Sequence, residues 1–313
     1  MISKLQKSIP ENINNQSVPE DMLFNIASYL PQLNDQNIHE TVMQYWDDHS
    51  IREVIENYGK ISDWDVSQVT NMDNLFDGDK LPYFNEDISN WNVSKVVSMK
   101  HMFSEASRFN QPLNSWNVSN VTNMEGMFAF ANFFNQPLDS WNVSNVTNME
   151  GMFCHAKDFN QPLNNWNVSS VKNMGNMFRY AESFNQPLNN WNVFNVTNME
   201  SMFESAIYYN QSLNDWDVSS VTDMVTMFDN AQRFNQPLNN WNVSNVTDMY
   251  GMFSSASSFN QPLDNWDVSS VTDMSYMFSN ANCFNHDELL KNWNVSKYTK
   301  KKDMFYEDYE EYY

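Results

Sequence analysis

Tryptophan recurs along this chain with a near-constant period, and that period constrains the fold more than any other feature. Trp64, Trp91, Trp116, Trp141, Trp166, Trp191, Trp216, Trp241, Trp266 and Trp293 are separated by 27 residues, then seven times by 25, then by 27. A unit this short cannot enclose a hydrophobic core of its own. Units of this kind stack and build one core between them. The sequence therefore predicts a solenoid of ten units in place of the two domains that 313 residues would otherwise permit.

Within a unit the apolar residues follow two patterns. Leu113, Trp116 and Val118 lie just after the Pro112 break, and the alternation Trp116, Asn117, Val118 reads as a short strand with every second residue inward. Val121, Met124, Met127, Phe128, Ala131 and Phe134 then recur at steps of three and four, which is helical spacing. Thr122 with Glu125, Thr147 with Glu150 and Thr197 with Glu200 have the form of a capping box at the start of that helix. The expected fold is an α/β solenoid of ten strand-plus-short-helix units with a helical N-terminal cap. Gly126, Gly151 and Gly251 fall inside the helical stretch and argue against a long helix, so an all-β solenoid is the alternative. Strands stack at ~4.8 Å and helices at roughly 8–10 Å, which predicts a curved stack lined by strands.

The layout expected is a disordered segment 1–17, a helical cap 18–63, the repeats 64–305 and an acidic tail 306–313. Asn85, Asn110, Asn135, Asn160, Asn185, Asn210, Asn235, Asn260 and Asn285 hold one position in nine consecutive units. Amides in register can bond the coil above or below, so they read as a structural ladder. Eighteen of the 21 methionines fall in the repeats and read as packing residues.

Charge narrows the partners. The formal net charge is −22, from 39 acidic and 17 basic residues. Nucleic acid is disfavoured, because phosphate binding needs Lys and Arg. Anionic lipid is disfavoured for the same reason. No run of about 18 apolar residues and no signal-peptide core occurs, which predicts an intracellular protein without membrane insertion. Cys154 and Cys283 lie five units apart and read as free thiols.

Positions that vary between units are free to be specific. They fall nine to ten, thirteen to fourteen and sixteen to seventeen residues after each Trp. Phe130, His155 and Tyr180 share one such position in three successive units, with Phe133 beside them, and form a candidate contact ridge. A polar row, Asn117, Asn142, Asn167, Asp217 and Asp267, is a second candidate surface, suited to an extended peptide or a sugar. Asp217, Asp223, Asp267 and Asp273 offer oxygen ligands of the calcium type but lack the glycine turn of such loops. His39, His49, His101, His155 and His286 share no repeat position and no metal-ligand spacing, and no phosphate loop or nucleophile elbow occurs. The expectation is a protein that is not an enzyme and needs no cofactor.

The consensus Trp-[Asn/Asp]-Val-Ser-x-Val-Thr-[Asn/Asp]-Met-x-x-Met-Phe-x-x-Ala-x-x-Phe-Asn-Gln-Pro-Leu, followed over residues 38–305, resembles the BspA-like family of leucine-rich-repeat-type surface proteins. That resemblance implies a leucine-rich-repeat-like fold, a role in adhesion or protein binding, and no catalytic activity. The chain departs from the bacterial surface lipoproteins of that family in lacking a lipid-anchoring cysteine near residue 1, which points to an intracellular or virus-encoded member. Residues 18–31, with Pro19, Leu23, Ile26 and Leu30, are similar to the opening helix of an F-box. This second resemblance implies an adaptor that recruits ubiquitin-ligase machinery. Three functions follow as expectations: a protein-binding scaffold, an F-box-type adaptor, and an adhesin-like binder of protein or glycan.

Overall fold

The computed structural model describes residues 32–286, 291 and 293–306. The expectations for segments 1–17 and 18–31, including Pro19, Leu23, Ile26 and Leu30, lie outside the described residues. So does the tail beyond Tyr306.

The cap consists of helix α1, Ile38–Tyr45, helix α2, Ile51–Tyr58, and a single 3₁₀ turn, Ile61–Asp63. Helix α1 buries Ile38, Thr41 and Val42, and α2 buries Val54. Asp35 pins the cap to the first coil. Its carboxylate accepts the Thr70 amide at 2.7 Å, the Thr70 hydroxyl at 2.6 Å and the Asn71 amide at 3.0 Å.

The repeats stack as a solenoid, and their interior holds the residues that periodicity assigned to it. Leu113, Val121, Met124, Met127, Phe128, Ala131 and Phe134 have no solvent exposure, and Trp116 retains 3%. The tryptophans form a column with parallel rings; Trp166 and Trp191 lie 6.5 Å apart at 0°. Two phenylalanine columns interleave beside it. Phe128 packs on Phe134 of its own coil at 4.1 Å and on Phe153 of the next at 5.7 Å. Each ring has partners above and below, so no coil completes its core alone.

The expected repeat helix is absent from the described residues. An α-helix needs each N–H to reach the carbonyl four residues back. Here the Met127 N–H bonds Met124 O at 3.2 Å and the Ala131 N–H bonds Phe128 O at 3.1 Å, which closes tight turns. The intervening amides point along the stack. Gly126 N–H donates to Glu150 O at 2.7 Å, Phe128 N–H to Met152 O at 2.9 Å, and Phe130 N–H to Cys154 O at 2.7 Å. Gly126 and Phe130 have φ of 57° and 59°, the left-handed region that the third residue of a type II turn requires. This is why glycine recurs in a stretch that looked helical. The capping-box reading fails with the helix: Thr122 and Thr147 direct their hydroxyls to Val97 O and Thr122 O, the carbonyls one coil back.

The inter-coil backbone contacts also lie elsewhere than expected. The Trp116, Asn117, Val118 segment alternates in burial as a strand would, yet it forms no named strand. Single parallel bridges instead join Asn71 to Ser98, Ser98 to Asn123, and so on coil by coil to Asp273 and Lys300. The curvature expected from a strand side and a helix side loses its premise, because the side assigned to helices is itself stacked by backbone hydrogen bonds.

Side chains close the remaining gaps. The Asn160 carboxamide oxygen accepts the Asn185 amide at 3.0 Å and the Gln186 side chain at 3.1 Å, and Asn110, Asn135 and Asn235 repeat the arrangement. The asparagine ladder is structural. From Trp116 to Trp293 the indole N–H of each repeat also crosses to the coil before it, as Trp166 does to Leu138 O at 2.9 Å and Trp191 to Leu163 O at 2.9 Å.

Candidate functional site

The turn segment that carries the inter-coil ladder points its variable residues outward. Phe130, His155 and Tyr180 stand at the third position of the same turn in successive coils, with φ of 59°, 57° and 54°. Bulky residues seldom adopt this region, and each one held there stores about 1–2 kcal/mol. Equivalent positions elsewhere in the stack carry Glu105, Ser205, Asn230, Ser255 and Asn280. The rings lie flat on one another: Phe130 to His155 and His155 to Tyr180 are each 4.3 Å apart at 11°. Phe130 is 42% exposed and Phe133 56% exposed, while His155 and Tyr180 are half-buried. The structure thus brings Phe130, His155 and Tyr180 of the predicted ridge together as a continuous stack, while Phe133 makes no ring contact with it among the described residues.

A row of polar and charged groups runs beside the ridge. Cys154, Arg179, Glu204 and Asp229 occupy one position in successive coils. Arg179 Nη2 meets Glu204 Oε1 at 2.8 Å, and Lys157 Nζ meets Glu182 at 2.9 Å, so ion pairs flank the rings on both sides. Glu204 is buried and Asp229 half-buried. Burial, aided by the Glu204 charge, pushes the Asp229 carboxyl up to about 6, against the bond it takes from Ser254. Burial also pushes the Cys154 thiol up to about 11, which leaves it un-ionised and a poor nucleophile at neutral pH. Burial between two rings holds His155 below the usual imidazole range, and the nearby Arg179 and Lys157 charges add to this.

Sequence reading missed the arginines. All three in the repeats lie on this face, and each sits over a tyrosine: Arg108 on Tyr83 at 4.7 Å, Arg179 on Tyr180 at 5.3 Å, and Arg233 on Tyr208 at 4.3 Å. Tyr83 precedes Arg108 by one period, and Tyr208 precedes Arg233 likewise. Aligning the units on their variable columns would have paired them. Phe194 was also missed. It is 49% exposed in a column that is serine in the neighbouring coils.

The polar row is placed differently. Asn117, Asn142, Asn167, Asp217 and Asp267 are exposed, but each turns an oxygen back to the amide two residues on, at 3.1–3.2 Å. Asp223 and Asp273 do the same with the Val225 and Ser275 amides. These carboxylates stabilise their own turns. Among the described residues no group of three or more His, Cys, Asp or Glu is placed to hold a metal ion. Cys154 and Cys283 are free thiols. No described helix is long and apolar enough to cross a membrane.

A constant interior with a variable turn face defines a tandem-repeat solenoid protein. Residues 42–156, 134–225 and 208–311 match the family described as "Mycoplasma protein of unknown function, DUF285", and the chain belongs to that family. Curated protein sequences give no match. Among solved structures, a plant peptide hormone receptor, RGFR1 in complex with RGF2, aligns at 8% identity and TM-score 0.16 over 70% of this chain and 47% of the receptor chain, so the chain spans about half of that receptor's length. A Leptospira interrogans LRR protein, LIC12759, aligns at 9% identity and TM-score 0.13 over 74% of this chain and 96% of its own. Likenesses this low carry no argument about mechanism.

Proposed function

We propose that this protein is a non-enzymatic scaffold of the BspA-like kind, and that a protein partner docks on the ridge formed by Phe130, His155 and Tyr180, with Phe133 at its flank. One observation carries the reading. Three rings are held at positive φ, one per coil and in register, where Glu, Ser or Asn serves elsewhere in the same column. The interior does not require them, since Phe130 faces water. Aromatic and arginine side chains dominate interface energetics, and Arg179 adjoins the end of the ridge. Its ion pair with Glu204, like that of Lys157 with Glu182, neutralises the flanks, so the contact is principally apolar.

The test is affinity capture from the native cell with two baits in parallel, the full chain and the Phe130→Ser, Tyr180→Ser double variant. A partner held by the first and lost by the second supports the ridge, and equal recovery refutes it. A third bait lacking residues 1–37 addresses the adaptor reading that the F-box-like segment 18–31 motivates. Loss of a ubiquitin-ligase adaptor on that truncation would move the function to the N-terminal segment.

A further inference from the structure

We propose that the partner of the ridge is a second copy of this chain, packed antiparallel on the same face about a twofold axis that crosses the stack at His155. The inference rests on the ridge reading above and names its occupant.

The order of side chains along the face is self-complementary. Counting coils from the one that opens at Trp64, Phe130, His155 and Tyr180 stand in the third, fourth and fifth. Three residues further along each coil runs an outer column. It carries the exposed Tyr83 and Arg108 in the first and second coils and the exposed Tyr208 and Arg233 in the sixth and seventh. The Phe84 N–H bonds Leu81 O as the Phe109 N–H bonds Ala106 O, which sets Tyr83 in register with Arg108 despite the longer first coil.

A twofold axis lying between two such faces, perpendicular to the stack, sets the first coil against the seventh, the second against the sixth and the third against the fifth. Each column then faces itself. Phe130 meets Tyr180 of the second copy, and His155 meets its own symmetry mate. At either end a guanidinium meets a phenol: Arg233 faces Tyr83 of the second copy, and Arg108 faces Tyr208 of the second copy. Within one chain each of these guanidinium planes lies over the tyrosine one coil back, which leaves its other side for the incoming ring.

Charge follows the same order. Arg108 and Arg233 have no ion-pair partner among the described residues, in a chain whose net charge is −22. At the far end of the face from Arg233, the carboxylates of Asp77, Asp79 and Glu105 crowd one another. Partial burial, with the Asp79 and Asp77 charges, holds the Glu105 carboxyl above the usual carboxylate range. Antiparallel packing brings Arg233 to this acidic end twice per dimer, whereas parallel packing would lay acid on acid. Asp158, the one acid of the outer column between the two arginines, meets its symmetry mate near the axis with Lys157 beside it.

Sedimentation equilibrium of the full chain should show monomer and dimer exchanging with a Kd in the micromolar range. Arg233→Glu, and separately Asp79→Lys with Glu105→Lys, should each weaken self-association about tenfold, because symmetry breaks both contacts at once. An equimolar mixture of the two variants should return to within about threefold of the parent Kd, since each contact in the mixed dimer again joins opposite charges. Circular dichroism confirms that each variant folds. A parent that stays monomeric to about 0.3 mM, or a mixture no tighter than its components, overturns the proposal and leaves the ridge reading to the capture experiment. A dimer that obeys the charge exchange yet ignores Phe130→Ser with Tyr180→Ser supports the antiparallel pair and refutes the ridge.

Discussion

The imidazole of His155 lies flat on the phenol ring of Tyr180, centroids 4.3 Å apart and planes within 11°. The two residues are one period apart, and the Tyr180 ring also receives the Arg179 guanidinium at 5.3 Å. Coil stacking turns a substitution in one unit into an element of a continuous surface. The ridge is thus a tertiary object assembled from single residues.

If the ridge serves binding and not folding, Phe130→Ser with Tyr180→Ser should leave stability within about 1 kcal/mol of the parent, because the stacked rings lie at the surface and the same turn position accepts serine at Ser205 and Ser255. Partner affinity should fall at least about tenfold. Urea melts and a binding titration on the same samples separate the two effects. A large stability loss would show that the rings are structural.

Tyr209 stands in a column otherwise made of phenylalanine, fully buried, and its hydroxyl has no hydrogen-bond partner. Tyr209→Phe should stabilise the protein by about 1–2 kcal/mol, since removing an unsatisfied buried group recovers its desolvation. A raised thermal midpoint is the expected reading. A lowered one would reveal a partner for the hydroxyl.

Asn160→Ala removes the acceptor for both the Asn185 amide and the Gln186 side chain. The expected loss is about 2 kcal/mol. Asn160→Asp keeps an oxygen acceptor at that site and should recover most of it. Hydrogen exchange at the Asn185 amide gives a local reading of the same change.

Asp229 titrates at about 6 in the fold against an ordinary value of 3.8. A raised folded value means that the neutral form suits the fold better. Its stabilising contribution is therefore full below 3.8 and is lost as pH rises through about 6. A shift of this size corresponds to at most about 3 kcal/mol, and to less because water screens the partly exposed carboxylate. Asp229→Asn should flatten the fall in stability between pH 4 and 7, as followed by urea midpoints across that range. A parent profile that is already flat would contradict the burial argument.

Trp166→Phe leaves Leu138 O without its indole donor and opens space beside Trp191. The expected cost is about 2–3 kcal/mol. In a quasi-one-dimensional stack the damage should centre on neighbouring coils, seen as faster exchange there than in the terminal units.

How much could be read beforehand differs by element. The core columns were legible because burial repeats with the period. The asparagine ladder was legible because an amide in register has a partner one coil away. Arg233 over Tyr208 was not legible along the chain, since the two lie one period apart and meet only when their coils stack. The polar row Asn117 to Asp267 was legible as exposed, but its oxygens turn back to local amides, which composition does not reveal.

The sequence by itself determined the period, the inward residues, and hence that coils must stack. Only the tertiary structure decided between helix and turns. Steps of three and four suit a helix and a run of tight turns equally, because both return a side chain to one face at that interval. What separates them is the destination of alternate N–H groups such as Gly126, whose partner Glu150 O lies 24 residues away on the next coil. A contact at that distance exists only once two coils are in place.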